Sequence, residues 1–179
     1  MTLRSIGAGL ASISANAGKG ALAGAFATAV MTLSSTIEMK LRNREPSSAP
    51  ARAAGKVLGV QPRNSRGAAR FGEIVHWSYG TAWGGVGGIL RMAIPEPAAT
   101  AAHFAAVWGT EVTMLPGLEI APPLPEWGSK EVAIDVFHHL VYAAAFAGAW
   151  YLMDRGETRS SLVGMIRKRI GQLIRLGQA

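Results

Sequence analysis

The chain has 179 residues with a formal net charge of +7 and no cysteine, so disulfides, thiolate nucleophiles and cysteine-ligated zinc or iron–sulfur centres are excluded. Hydrophobic residues make up 49% of it and charged residues only 16%, below the roughly one quarter of an average globular chain. The apolar residues come in blocks rather than in a soluble domain's scattered pattern, and no nucleic-acid-binding fingerprint accompanies the basic charge.

Taken in order, residues 1–16 are small and weakly polar, with Arg4 as the lone charge. They lack the compact apolar core of a secretory signal and read as a short surface helix or frayed terminus. A first span follows at about 17–41. Its Gly20 and Gly24 are four residues apart, a spacing that admits a second helix closely. Glu38 lies near its end. Residues 42–70, rich in Pro, Ser and Arg, form a linker, with a short helix expected over 49–60.

The second span, about 71–94, carries a ridge of Gly80, Gly84 and Gly88, with Glu73 and His76 in its first turns. A turn at 95–97 precedes the third span, about 98–115, which holds His103 and Glu111. The proline-rich stretch 115–130 is a loop or re-entrant cap with Trp127 as an interfacial anchor. The fourth span, about 131–153, opens with Glu131, Asp135, His138 and His139, and Asp154, Arg155 and Gly156 are expected to stop it. Residues 154–179 then read as a basic amphipathic helix on an anionic lipid surface or against a partner.

The expected fold class is all-α: an integral membrane four-helix bundle over 17–153 with an amphipathic C-terminal surface helix. Apolar stretches of ~20 residues are the length that crosses a bilayer. The expected location is a bacterial inner membrane, multi-pass. Orientation stays open, because nine Lys and Arg fall on each side of such a topology. Anionic headgroups, a membrane protein partner or a second copy are the expected partners, and nucleic acid is not.

Threading four spans alternately brings Glu38, Glu73, His76, Glu111, Asp135 and His138 to one level. In each of the pairs Glu73/His76 and Asp135/His138, the i, i+3 spacing puts carboxylate and imidazole on one helix face. His139 points roughly 100° from His138, so the two do not easily serve one site. His103, at the opposite end, reads as a packing or hydrogen-bonding histidine.

The order Glu, Glu-x-x-His, Glu, Asp-x-x-His resembles the ligand set of ferritin-like di-iron carboxylate proteins, with Asp135 in place of a glutamate. That resemblance implies a di-iron or di-manganese centre on those six residues and a membrane oxidoreductase. The Pro-Ser stretch after the first span, the Leu115–Pro116 turn and the run His139 to Tyr142 resemble YagU-type small bacterial inner-membrane proteins. That resemblance implies a helical membrane protein without a defined reaction. Read from the residues, the cluster supports a non-catalytic or ion- and proton-handling module, alone or as a subunit of a larger assembly. The di-metal enzyme is the alternative.

Overall fold

A computed structural model describes the backbone of residues 3–176 and the side chains of residues 5–157. It contains five α-helices and no strand among the described residues: α1 (Leu3–Arg42), α2 (Ala49–Leu58), α3 (Ser65–Leu90), α4 (Ala98–Gly117) and α5 (Ser129–Leu176). A single 3₁₀ turn, Leu124–Glu126, lies in the last loop.

The helix ends follow local chemistry. α1 has no proline and stops where Asn43 turns to a φ of 50°. α2 has proline in its first turn and ends on Gly59, whose φ of 66° lets Val60 N–H reach the Gly55 carbonyl. The Asn64 side chain caps α3 by accepting from Gly67 N–H at 2.8 Å. Pro116 lies in the last turn of α4, and α5 starts after Gly128 at φ 80°.

Two expected boundaries change. Residues 1–16 are not a separate segment: from Leu3 onward they are the first turns of α1. Nor does Gly156 stop the helix that opens at Ser129. One helical glycine costs only about 1 kcal/mol against alanine, and α5 runs on to Leu176. The amphipathic face expected over 154–179 falls largely outside the residues whose side chains are described.

α1 is the hub, packing on α3 and α5, while α4 completes the bundle against α5 and α3. The α1–α3 pair is antiparallel. Gly20 faces Gly84 and Gly88, Gly24 faces Gly80 and Gly84, and Thr28 lies against Gly80. A Cβ added at Gly24 would stand 2.6 Å from the Gly84 Cα, so the two backbones touch with no side chain between them. Thr28 returns its hydroxyl to the Gly24 carbonyl at 2.7 Å and presents no free polar atom to the seam.

Beside the seam, the core is Ala23 and Ala27 of α1, Val107 of α4, and Tyr142, Phe146 and Trp150 of α5. The Tyr142 hydroxyl donates to the Gly80 carbonyl at 2.6 Å, tying α5 to α3 where glycine leaves that carbonyl reachable. Outside, large apolar residues face away: Leu22, Phe26, Leu33, Ile37 and Leu41 on α1, and Phe137, Leu140 and Leu152 on α5.

The linker is more structured than its composition suggests. α2 packs on α3, burying Ala53. Its Lys56 donates to the Leu118 carbonyl at 2.7 Å, and Arg52 donates to the Ile120 carbonyl. Two basic side chains one helical turn apart thus cap the end of α4.

Candidate functional site: a carboxylate–imidazole group between two helices

The antiparallel order places the end of α1, the start of α3, the end of α4 and the start of α5 at one end of the bundle. The expected residues gather there, but in separate groupings.

Between α1 and α3, Thr32 Oγ1 lies 2.8 Å from His76 Nε2. Thr32 already donates to the Thr28 carbonyl at 2.7 Å, so its oxygen accepts and His76 Nε2 carries the hydrogen. Glu73, one turn earlier, is exposed.

Between α1 and α5, Ser34 Oγ lies 2.9 Å from His138 Nδ1. Glu38 accepts from Arg42 at 2.8 Å and from Arg44 at 2.6 Å. Arg42 continues to Glu131 at 2.5 Å, joining the end of α1 to the start of α5. His138 Nε2 is buried without a hydrogen-bond partner, 3.9 Å from Glu38 Oε2.

Between α4 and α5 lies the third grouping. Glu111 Oε2 is 2.8 Å from His139 Nε2, and the Asp135 carboxylate is 3.6 Å from His139 Nδ1. His139 Nδ1 also lies 2.9 Å from the Asp135 backbone carbonyl, one turn back in the same helix. Trp108 of α4 donates its indole N–H to Asp135 Oδ2 at 2.8 Å. The His139 side chain is only 10% exposed, and those of Glu111 and Asp135 about a quarter.

The six residues expected as a ligand set are therefore brought to one end of the bundle in three separate groupings. Glu38 is gripped by two guanidinium groups, Glu73 faces outward, and His76 and His138 are bonded to hydroxyls of α1. The ligand atoms of the six do not gather as one group in this arrangement. Among the described residues, the one group of three whose ligand atoms come close together is Glu111, Asp135 and His139, all within 4.8 Å of one another.

The cause is helical rotation. Adjacent residues on a helix point about 100° apart, so α5 sends His138 to α1 and His139 to α4. The signal for His139 was its i, i+4 relation to Asp135, as valid a same-face spacing as the i, i+3 relation to His138. Trp108 carried no such signal, because its role depends on how α4 packs on α5.

At the other end of the bundle His103 behaves as expected of a packing residue. Its Nε2 donates to the Trp83 carbonyl at 2.9 Å, and its ring meets Phe146 edge-on at 4.5 Å between centroids. Nearby, Lys19 pairs with Asp154 and Glu157 and lies over Trp150, and Arg91 pairs with Glu96 at 2.6 Å.

The chain matches no protein-family model, no curated protein and no solved structure.

Proposed function

We propose that this chain is a multi-pass protein of the bacterial inner membrane, with α1, α3, α4 and α5 as its spans. In this reading it handles an ion at Glu111, Asp135 and His139, alone or as a subunit of a larger assembly. Two helices, Ser5–Arg42 and Ser129–Glu157, are long and apolar enough to cross a membrane, and only 28% of each apolar window is buried inside the protein. A soluble core helix would be mostly buried.

The observation that carries the reading is the spacing of the ionic belts. Arg42 meets Glu131 at one end of the bundle, and Lys19 meets Asp154 at the other. Along both α1 and α5 these partners are 23 residues apart, about 35 Å at 1.5 Å per residue. That is the ~30 Å of a hydrocarbon core plus a little headgroup depth on either side. Between the belts the outer faces of α1 and α5 are largely apolar, with Lys40 near the Arg42 end of α1 and Glu73 in the first turns of α3 as exposed charges, whereas Glu111, Asp135 and His139 turn inward to one another. Ionisable groups held inside such a layer are expensive, and they mark ion paths or binding sites.

α3 and α4 reach the same depth by packing. Gly and Ala fill much of both in place of Leu and Ile, which suits them to close helix contact. Exposed Arg63 before α3 and Arg66 and Arg70 in its first turns, with exposed Val57, Leu58 and Val60 around the end of α2, suit an anionic headgroup surface at the Arg42 end.

The test is cation movement in sealed proteoliposomes, with gradients of protons, Na⁺ and a divalent metal each followed by a matching dye. The expected result is that one of these moves at least about tenfold faster through the native protein than through Glu111→Gln. Equal rates for native protein and variant under every gradient would contradict ion handling.

A further inference from the structure

The contact between His139 and Glu111 has few chemical solutions. A backbone carbonyl only accepts, so the 2.9 Å contact from His139 Nδ1 to the Asp135 carbonyl puts a hydrogen on Nδ1. In a neutral imidazole Nε2 is then bare, and its lone pair faces Glu111 Oε2 at 2.8 Å. At that distance a positive partner must lie between the two lone pairs: either a proton, which makes His139 an imidazolium donating to Glu111, or a metal ion.

No basic side chain supplies a lasting charge there. Among the described residues no Lys or Arg pairs with Glu111 or Asp135; each has His139 as its ionic neighbour. The nearby guanidiniums of Arg42 and Arg44 are taken by Glu38 and Glu131. Two carboxylates thus share one imidazole in a half-buried position, and the group carries a formal −2 with His139 neutral and still −1 with it protonated. Low local dielectric makes such uncompensated charge costly.

We infer that Glu111, Asp135 and His139 form a mononuclear site for a first-row divalent cation of the zinc type. This rests on the ion-handling reading and names the ion. A divalent ion cancels both carboxylate charges, where a monovalent one leaves half. The imidazole nitrogen selects against Mg²⁺ and Ca²⁺, which prefer all-oxygen sites, and a chain without cysteine offers no soft thiolate. Three protein ligands leave a position open for water or an exchanging ligand.

The outer contacts are those that metal-binding side chains use. His139 anchors Nδ1–H on a backbone carbonyl and so fixes the tautomer with Nε2 free to ligate. The Trp108 N–H holds one Asp135 oxygen and leaves the other for the ion. One ligand atom from each residue lies within 4.8 Å of the others; Asp135 Oδ1 starts on the Nδ1 side of the ring at 3.6 Å, so its carboxylate turns toward Glu111 when an ion binds at Nε2.

The test is Zn²⁺ binding by the full-length protein in detergent, stripped with chelator and followed by calorimetry and elemental analysis. About one ion per chain is expected. Affinity falls at least about tenfold in each of Glu111→Gln, Asp135→Asn and His139→Gln, and about tenfold in Trp108→Phe, which removes only the outer contact. Glu38→Gln, His76→Gln and His138→Gln bind within about twofold of the native protein. X-ray absorption on the unaltered protein loaded with Co²⁺ reads out one imidazole among oxygen ligands, independently of whether any variant folds. Native protein that binds no Zn²⁺, or binding that the three ligand variants leave unchanged, overturns the site. Proton or Na⁺ movement lost in Glu111→Gln without Zn²⁺ binding overturns the metal and leaves ion handling standing. Zn²⁺ binding without movement of any cation supports the metal site and contradicts the transport reading.

Discussion

The α1–α3 seam and the α4–α5 interface solve the same packing problem by opposite means. At the middle of the seam, Gly20, Gly24, Gly84 and Gly88 bring backbone onto backbone, so shape dominates the register, with the Thr32–His76 contact beyond it as the polar link. At the α4–α5 interface, polar side chains set it: Trp108 on Asp135, and Glu111 on His139. A seam of bare backbone tolerates no added atoms. An interface of paired polar groups tolerates changes of size better than loss of one partner. The first suits a fixed frame and the second a place where an occupant changes.

The difference is broken most severely at Gly84. A Cβ there would meet the Gly24 Cα and N at 2.5 and 2.8 Å, with backbone on all sides. Gly84→Leu is expected to cost about 3 kcal/mol or more and to abolish monodisperse protein in detergent. Gly109→Leu, whose Cβ would meet nothing within 4 Å, should leave folding intact. Size-exclusion profiles and thermal unfolding of the pair compare frame with free surface directly.

At the polar interface the expected effects are smaller and coupled. His139→Leu or Glu111→Leu alone strands a partner and should cost about 1–3 kcal/mol. The double variant should cost less than the sum, with a coupling of about 1 kcal/mol or more in a double-mutant cycle. Additive losses would mean that the 2.8 Å contact contributes nothing.

Tyr142→Phe probes the bridge between the two regions, since its hydroxyl reaches the Gly80 carbonyl on the seam helix. A loss of about 1 kcal/mol is expected in thermal unfolding, with the helix content unchanged. The smallest effect belongs to Gly148→Ala, where the added methyl meets open space. Helix propensity alone should raise stability there by up to about 1 kcal/mol.

Much of this frame was legible in the residues. The spacing of Gly20 and Gly24, and of Gly80, Gly84 and Gly88, marked the seam before any partner was known. The short helix expected over 49–60 is α2, which ends two residues earlier at Leu58. Alternate threading brought the acids and histidines to one end. Sequence did not reveal which neighbour each side chain would meet. His138 and His139 are adjacent, and only the packing of α1 on one side of α5 and α4 on the other assigns them. Glu38 looked like a ligand until Arg42 and Arg44 closed on it, a contact that depends on the chain reversing at Asn43. The lengths of α1 and α5 were also hidden, because a single glycine or a charged pair is too weak a signal to end a helix.

The absence of native cysteine gives the membrane reading a direct test. Single cysteines at Ser47, Ser129, Ala93 and Gly156, all exposed, can be labelled in sealed membrane vesicles with an impermeant maleimide. The four-span account predicts that Ser47→Cys and Ser129→Cys label from one face, and Ala93→Cys and Gly156→Cys only from the other. Equal labelling of all four from outside, or protein recovered in the soluble fraction, would contradict it.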